Sequence, residues 1–383
     1  MGEVVQIVGG GTPDSSNADY WDGDIDWYTP SEIGERRSVE TSARKITPEG
    51  LVHSSARLLP AGSILFTSRA SIGLMAFISR PSATNQGFQS LVPSNNVDSN
   101  FLYALGPYIS RYAKKHAAGS TFIEISGSSL AKAPLRIPSL AEQRRIGEFF
   151  SALDGLIAAA ERQEALLRQK KQAYLQLMFP RKGETQPRLR FSGFTEEWQE
   201  LRLGKLYMKN TERNGNQFDA EKTLSVSSMT FNPLGNGAAE ESLASYKILR
   251  IADAAFEGHT SNEFAFGRFV VNTVGAGIMS PRFASIRPTD FWWQSCDLDF
   301  WACYLHDEGV MKRILVRSTK RGTMMNELVF DDFFAGKMRV PSLPEQRLIG
   351  RFFSTLDSLI SAAEKRAKHL RTLKGSYLQR MFV

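Results

Sequence analysis

A repeated segment is the feature that most constrains how this chain can fold. Residues 137–179 and 340–382 align without a gap at a constant offset of 203, and 26 of their 43 positions are identical. Chance does not produce a match of that length, so the chain is a tandem duplication. The duplication predicts two similar halves related by a pseudo-twofold axis.

Each copy of the repeat is predicted to form one long helix of roughly 60 Å. Ser139 or Ser342 takes the N-cap position, and Glu142 or Glu345 follows three residues later to complete a capping box. Hydrophobic residues recur at seven-residue steps, which is typical of a left-handed coiled coil. This predicted helix-pair interface consists of Ile146, Leu153, Ala160, Leu167 and Tyr174 in the first copy and Ile349, Leu356, Ala363, Leu370 and Tyr377 in the second.

The middle of this helical seam is polar in both copies. Lys170 and Lys171 stand in the first copy where Leu373 and Lys374 stand in the second. Polar residues at such positions either select the partner helix or are solvated, and the sequence leaves both interpretations open.

The repeats divide the chain into five segments. The two segments that precede the helices, 1–136 and 203–339, both contain short β-type runs punctuated by Gly, Pro, Ser and Asn. Each of them ends in a basic helix-like stretch followed by glycine. The prediction is an α+β protein in which two long coiled-coil helices join two mixed α/β domains. Its segments are a first globular domain at 1–136, a first helix at 137–180, a connector at 181–202, a second globular domain at 203–339 and a second helix at 340–383.

Composition narrows the classes of function. The 383 residues carry a net charge of +7 and a sequence pI near 9.3, which favours a polyanionic partner such as double-stranded DNA. Two cysteines, Cys296 and Cys303, exclude a disulfide scaffold and an all-cysteine zinc site. The opening Met1-Gly2-Glu3 is not a signal-peptide start, and no stretch approaches the ~20 apolar residues of a membrane span. We therefore expect a cytoplasmic protein without a membrane partner.

A search for catalytic motifs gives none. The glycines at 9–11 are followed by turn formers and do not match a dinucleotide fingerprint, and there is no P-loop, H-E-x-x-H or G-x-S-x-G motif. The five histidines are scattered without metal spacing. The acidic pair Asp331-Asp332 corresponds to Ser128-Ser129 at the repeat offset, so the first half lacks matching acids. The sequence predicts a binding protein with no catalytic residue, metal site or cofactor of its own.

Two diverged globular segments, each followed by a helix that opens with P-S-L-x-E-Q-R and contains a phenylalanine pair, resemble the specificity subunit of type I DNA restriction-modification enzymes. The strings G-G-T-P at 10–13, Y-W-D-G-D-I at 20–25, A-T-N-Q-G-F at 83–88 and L-R-F-S-G-F at 189–194 support the resemblance. It covers essentially the whole chain. Family members generally carry more chain before the first glycine-rich loop.

The resemblance implies two target recognition domains, each reading one half of a bipartite, asymmetric DNA site. The two long coiled-coil helices would form an antiparallel pair that acts as a ruler between the domains and docks two modification subunits, which bring S-adenosylmethionine and methyl transfer. Restriction subunits would bring ATP hydrolysis and cleavage, so this chain would be a non-catalytic subunit.

Within that framework, loop residues with hydroxyl, amide or guanidinium groups are candidates for base contacts, and basic stretches are candidates for phosphate contacts. Each of them is equally open to interpretation as a solvated surface residue. In the first domain the candidates are Thr12, Ser68, Arg69, Thr84, Asn85 and Gln86 for bases, and Lys114 and Lys115 for phosphate. In the second they are Arg268, Asn272, Ser280 and Arg282 for bases, and Lys320 and Arg321 for phosphate.

Two other classes remain as alternatives. A structural coiled-coil adaptor with non-specific DNA binding would need no diverged basic domains. A self-contained DNA methyltransferase would need an Asn/Asp-Pro-Pro-aromatic loop and a cofactor glycine loop, and neither occurs in the sequence.

Overall fold

The computed structural model describes residues 1–34, 36–119, 123–181, 183–232, 234, 237 and 239–382. The chain divides into two compact units. The first comprises Met1–Arg162 together with Glu364–Val383, and the second comprises Gln163–Ala363. Each unit therefore combines one globular domain with part of each long helix.

The first unit contains a five-stranded sheet of order β1-β8-β5-β6-β3 and a three-stranded sheet of order β4-β2-β7. Its strands are β1 Val5–Gly9, β2 Trp21–Tyr28, β3 Ser38–Val39, β4 Arg44–Ile46, β5 Ile64–Phe66, β6 Met75–Ile78, β7 Ser82–Thr84 and β8 Gln89–Pro93. Its helices are α1 Pro48–Val52, α2 Ser99–Ala104, α3 Gly106–His116, α4 Gly127–Ala131 and α5 Leu140–Met178, of which α5 continues into the second unit.

Strand β5 shows why the five-stranded sheet has buried residues on both faces. Ile64 and Phe66 belong to a core cluster with Phe101 of α2, whereas Leu65 lies in a different cluster with Tyr28. Alternate residues of a strand point to opposite faces, so a continuous apolar run is buried on both sides.

The second unit has a four-stranded sheet of order β10-β17-β14-β15 and several two-stranded ladders. Its strands are β9 Gln199–Arg202, β10 Tyr207–Lys209, β11 Leu224–Ser225, β12 Thr230–Phe231, β13 Lys247–Leu249, β14 Ala254–Glu257, β15 Arg268–Val271, β16 Gly277–Met279, β17 Ala284–Pro288, β18 Thr319–Lys320, β19 Glu327–Leu328 and β20 Lys337–Val340. Its helices are α6 Leu203–Leu206, α7 Asp290–Ser295, α8 Leu298–Tyr304, α9 Glu308–Ser318, α10 Phe330–Ala335 and α11 Leu343–Met381.

Helices α5 and α11 are each 39 residues long, or about 58 Å at 1.5 Å per residue. In the first unit the beginning of α5 packs on the end of α11, where the rings of Phe149 and Tyr377 are 5.1 Å apart. In the second unit the end of α5 packs on the beginning of α11, where Tyr174 and Phe352 are 5.0 Å apart. These two pairs are related by the 203-residue offset. The long helices predicted from the repeat and their antiparallel pairing, which the resemblance implied, are therefore confirmed.

The predicted seam residues differ in burial along the two helices. Leu153, Ala160, Ile349, Leu356 and Ala363 are buried, and Ile146, Leu167, Tyr174 and Leu370 are partly buried. Tyr377 is 38% exposed and still contacts the ring of Phe149.

The polar middle of the seam forms ion pairs between the helices. Lys171 Nζ lies 2.5 Å from Asp357 in the second unit, and Lys374 Nζ lies 2.6 Å from Asp154 in the first. The two pairs are again related by the repeat offset. Lys170 is exposed. Charge pairing between the helices is thus part of what aligns them.

A buried glutamine near the start of each long helix attaches the globular domain. Gln143 Oε1 accepts a hydrogen bond from the backbone amide of Asp98 at 3.0 Å, and Gln143 Nε2 donates to the carbonyls of Asn96 and Pro138. In the second unit Gln346 forms the same three bonds, to Asp297, Ser295 and Pro341. Asp98 and Asp297 are also the N-caps of α2 and α8. One repeated side chain therefore fixes the same helix start in both units.

Candidate nucleic-acid interface

In the first unit, the glycine-rich loop after β1 lies directly against the loop after β7. A Cβ on Gly10 would fall 2.0 Å from the carbonyl oxygen of Asn85, so this close approach requires glycine. Thr12 Oγ1 donates to Gln86 Oε1 at 2.5 Å, and both side chains are exposed. Three predicted contact residues, Thr12, Asn85 and Gln86, are thereby brought together at the surface.

The loop after β5 joins this surface through its backbone. The amide of Ser68 donates to the carbonyl of Gly87 at 2.8 Å, and Ser68 Oγ donates to Glu124 at 3.0 Å. Arg69 follows, partly exposed, and Ala70 adopts a left-handed φ of 59° that turns the chain sharply. Arg69 therefore lies beside the loop that carries Asn85 and Gln86.

The basic stretch of the first unit leads into the same region. Lys114 and Lys115 are exposed in the last turn of α3, where the helix dipole favours cations. Two residues after the helix ends, Ala118 exchanges backbone hydrogen bonds with Glu124 at 3.0 and 3.1 Å. Glu124 is the acceptor of the Ser68 hydroxyl, so the two lysines end a helix that is tied to the loop surface.

Two of the predicted base-contacting residues in the first unit are buried. Ser68 is 0% exposed, and Thr84 is 1% exposed while its carbonyl accepts from the amide of Gly11 at 2.8 Å. In the structure the Ser68 hydroxyl and the Thr84 backbone carbonyl join neighbouring loops. A base contact by either of them stays a prediction that requires the side chain to become uncovered.

Two of the predicted residues in the second unit also have internal partners. Arg268 Nε donates to Glu257 at 2.7 Å, and its guanidinium lies 5.1 Å from the ring centre of Phe264. Asn272 is fully buried, and its Nδ2 is near three carbonyl oxygens, those of Leu249, Arg250 and Gly275. These contacts order the loops around β15, and their role in base reading stays a prediction.

Arg321 lines a polar hollow of about 690 Å³ in the second unit. The amide of Asn326 donates to the carbonyl of Gly258 at 2.8 Å, which joins the two loops that form the hollow. Lys320 is exposed on β18, opposite Glu327 of β19. The polar lining residues beside Arg321 are Thr260, Ser261, Thr319, Thr323 and Asn326.

Of these lining residues, Thr260, Ser261, Thr323 and Asn326 are functional candidates that sequence reasoning missed. The signal available for Thr323 and Asn326 was their position directly after the basic stretch, among hydroxyl and amide residues. Thr260 and Ser261 lie about sixty residues earlier, and the sequence gives no indication that they meet Arg321.

The remaining predicted residues of the second unit lie on a neighbouring turn. Ser280 is partly buried, and its carbonyl accepts from the amide of Phe283 at 3.3 Å. Arg282 is exposed, with its guanidinium 4.8 Å from the ring centre of Phe283. The same ring contacts His259, which adjoins Thr260 of the hollow. Arg282 and the Arg321 hollow are thus connected through one aromatic contact.

A second cavity in this unit, of about 890 Å³, is lined by several titratable groups. Burial raises the pKa of the Cys303 thiol well above its usual value, which keeps the thiol protonated. Burial also lowers the pKa of His306 and raises that of Asp307 to about 6. Asp307 caps α9 by accepting from the amide of Val310 at 2.8 Å. These groups serve packing and capping.

Two further searches cover the described part of the chain. Within it, no group of three or more His, Cys, Asp or Glu side chains is placed to hold a metal ion. None of the described helices combines the length and the apolar character that crossing a bilayer requires.

The sequence pattern of the family described as type I restriction modification DNA specificity domain matches residues 1–169. The match covers less than half of the chain and is confined to the first globular domain and the first long helix. The resemblance found in the sequence is thereby confirmed. The matched region includes the whole globular domain of the first unit and most of α5, so the surface formed by Thr12, Asn85 and Gln86 lies within the residues that match.

Relatives of the specificity family match the chain over part of its length. The MjaIX specificity subunit of Methanocaldococcus jannaschii is 37% identical over 169 residues, 43% of this chain and 39% of that protein. The EcoR124I/EcoR124II specificity subunit of Escherichia coli is 33% identical over 186 residues, 45% of each chain. The matches therefore span less than half the length of these relatives.

Solved structures of specificity subunits share the fold of the whole chain. The type I restriction-modification S subunit from M. genitalium superposes with a TM-score of 0.62 at 14% identity, covering 100% of this chain and 94% of that one. A chain from a study of type I restriction-modification complex assembly gives a TM-score of 0.52 at 16% identity, covering 99% and 95%. The predicted fold class, two mixed α/β domains with two long helices, is thereby confirmed.

Proposed function

We propose that this chain is the sequence-specific DNA-binding specificity subunit of a type I restriction-modification system. The observation that carries the proposal is the contrast between the two units. Both repeat the same helix contacts, yet they present different polar loops: a Thr12–Gln86 surface in one and an Arg321 hollow in the other. Two different readers on one repeated scaffold suit an asymmetric, bipartite site, with hydroxyl and amide groups meeting base edges and Arg321 contacting phosphate.

The proposal assigns the remaining activities to partners. Two modification subunits would dock on the helix pair and supply S-adenosylmethionine and methyl transfer, and restriction subunits would supply ATP-dependent cleavage. This chain would bind double-stranded DNA in the cytoplasm without a cofactor, and its helix pair would set the spacing between half-sites.

Expression of the chain with its modification subunit, followed by genome-wide mapping of methylated adenines, tests the proposal. We expect one bipartite motif, and we expect Thr12→Ala combined with Gln86→Ala to alter one half of the motif only. The matched variant for the second unit combines Thr323→Ala with Asn326→Ala, which should alter the other half. A wild-type complex that folds and methylates without a bipartite preference would overturn the proposal, as would methyl transfer by the purified single chain.

The exposed basic residues of the second unit give a separate test of phosphate contact. Replacing Lys320 and Arg321 by alanine removes two cations, so binding to all DNA sequences should weaken alike. The slope of log affinity against log salt concentration should become shallower by roughly one to two units. Fluorescence anisotropy at several salt concentrations measures the slope, and Arg347→Ala on the exposed side of α11 is the control. A changed methylation motif would instead assign base reading to these two residues.

A further inference from the structure

Residues 189–202 cover one face of the second unit, and two side chains near the start of the segment provide the main contacts. Arg190 Nε and Nη2 donate to the two carboxylate oxygens of Glu345 at 2.7 and 2.8 Å. The next residue, Phe191, has its ring centre 6.2 Å from that of Phe352. An arginine–phenylalanine pair thus binds a glutamate and a phenylalanine of α11.

The same segment also supplies a β-strand and an end cap for α5. Strand β9 pairs antiparallel with β20 over four residues. The amide of Leu189 donates to the carbonyl of Leu177 in the last turn of α5 at 2.9 Å, and the neighbouring Met178 is 3% exposed. The segment therefore closes a groove that runs from the end of α5 to the edge of β20.

The first unit contains the counterparts of this groove at the repeat offset. Glu142 corresponds to Glu345, and in contrast to the fully buried Glu345 it is exposed, with no ion pair to any described residue. Phe149 corresponds to Phe352 and is 41% exposed. Met381 corresponds to the buried Met178 and is 43% exposed. The counterparts of the carboxylate and the phenylalanine that the segment contacts in the second unit face solvent in the first, as does the methionine at the end of α11.

The strand edge has a counterpart as well. Residues 134–137 correspond to β20, and they pair with no strand among the described residues. In the second unit the amide of Leu203, directly after β9, donates to the carbonyl of Gly336 at 2.8 Å. In the first unit the amine of Met1 donates to the carbonyl of Ala133 at 2.7 Å. The backbone path beside the unpaired edge is therefore the same in both units.

One contact of the segment 189–202 has no open counterpart in the first unit. Trp198 of the segment is buried against Phe300 and Tyr304 in the second unit, with ring centres 6.2 and 6.0 Å away. Counted from the N-caps Asp98 and Asp297, Phe101 and Leu105 correspond to these two residues, and they are already 1% and 5% exposed. An occupant of the first-unit groove therefore needs the arginine, the phenylalanine and the strand, but not the tryptophan.

We propose that the first-unit groove, formed by Glu142, Phe149, Met381 and the edge at 134–137, binds an extended peptide strand that carries an arginine–aromatic pair. The partner has the chemistry of residues 189–202. Its guanidinium makes a two-point contact with the Glu142 carboxylate, and its backbone adds a strand to the unpaired edge. The recognition resides in the repeat and does not involve DNA.

A synthetic peptide of residues 187–202, labelled with a fluorophore and titrated with the full-length protein, tests the proposal by anisotropy. We expect saturable binding, weakened roughly tenfold by Glu142→Ala in the protein or Arg190→Ala in the peptide because the charge-assisted contact is lost. The two changes together should weaken binding no further than either alone. Trp198→Ala in the peptide and Glu148→Ala in the protein, an exposed acid on the same helix, should change the affinity less than threefold.

Hydrogen exchange on the same complex locates the site without relying on affinity. Saturating peptide should slow exchange of the amides at 135–137, and fusing residues 189–202 directly before Met1 should slow them permanently. Glu142→Ala should reverse the protection in both cases. Absence of binding at about 1 mM peptide together with unprotected amides in the fusion would overturn the proposal. Binding that is indifferent to Glu142 would overturn it equally.

Discussion

The two units use the same residues to attach a globular domain to the helix pair, yet they treat one repeated glutamate in opposite ways. Gln143 and Gln346 form identical sets of three hydrogen bonds. Glu345 is 0% exposed and bound to Arg190, whereas its counterpart Glu142 is exposed. Contacts between repeat and domain therefore persist wherever both partners were duplicated. At this glutamate they differ, because Arg190 covers Glu345 and no described residue forms an ion pair with Glu142.

The largest expected effect is a difference in stability between a variant of the buried Glu345 and a variant of the exposed Glu142. Glu345→Ala leaves Arg190, 13% exposed, without its carboxylate, and removing one member of a buried pair typically costs about 3–5 kcal/mol. Glu142→Ala, at the exposed counterpart, should change the free energy of unfolding by less than about 0.5 kcal/mol. Denaturant unfolding followed by hydrogen exchange in each unit measures both values. Equal losses from the two variants would show that exposure does not separate the two glutamates.

The next largest effect is a loss of stability that should be similar in the two units, at one glycine near the start of each long helix. A Cβ on Gly147 would meet Asp98 Oδ1 at 2.5 Å and the amide of Phe101 at 2.7 Å. A Cβ on Gly350 would meet Asp297 Oδ1 and the amide of Phe300, both at 2.5 Å. Either alanine variant therefore pushes an N-cap away from the long helix, and we expect a loss of about 2–3 kcal/mol in each unit.

Two other helical glycines provide the matched controls for this pair. Gly155 of α5 and Gly375 of α11 have nothing within 4 Å of an added Cβ. Alanine at either position should therefore raise stability by about 0.5–1 kcal/mol through helix propensity alone. Losses at all four glycines would show that backbone freedom, and not the contact with the N-cap, decides the outcome.

These expectations indicate what the sequence could predict and what it could not. The long helices, α5 at Leu140–Met178 and α11 at Leu343–Met381, lie within the predicted 137–180 and 340–383 because a seven-residue period is a local, repeated signal. Whether a loop side chain is exposed depends on contacts with distant parts of the chain, so the local sequence does not predict it. Asn272 has the residue type of a base reader, but its amide is used by carbonyls that the fold brings to it.

The Arg321 hollow is a candidate site that the sequence did not predict, because its residues come from distant parts of the chain. Thr260 and Ser261 meet Asn326 only because the amide of Asn326 bonds to the carbonyl of Gly258. A contact between residues nearly seventy positions apart leaves no trace in either segment alone. The attachment by Gln143 and Gln346 was missed for a different reason, since a glutamine inside an E-Q-R helix start looks like a solvated residue until its burial is known.

The smallest effect concerns the two lysine–aspartate ion pairs of the seam, because the surroundings of these pairs differ between the units. Lys171–Asp357 is isolated, and its carboxylate is 52% exposed, so water screens the attraction. In the first unit Asp154 is 15% exposed and also contacts Arg37 at 2.6 Å, so Lys374 joins a three-membered network.

A double-mutant cycle to alanine should give a coupling energy of at most about 0.5 kcal/mol for the isolated pair, and about twice that for Lys374–Asp154. Repeating both cycles in 1 M salt should abolish the coupling in the second unit and leave part of it in the first, because buried charges are screened less. Equal coupling energies with equal salt sensitivity would show that Arg37 adds nothing, and that the two ion pairs are as alike in energy as they are in sequence.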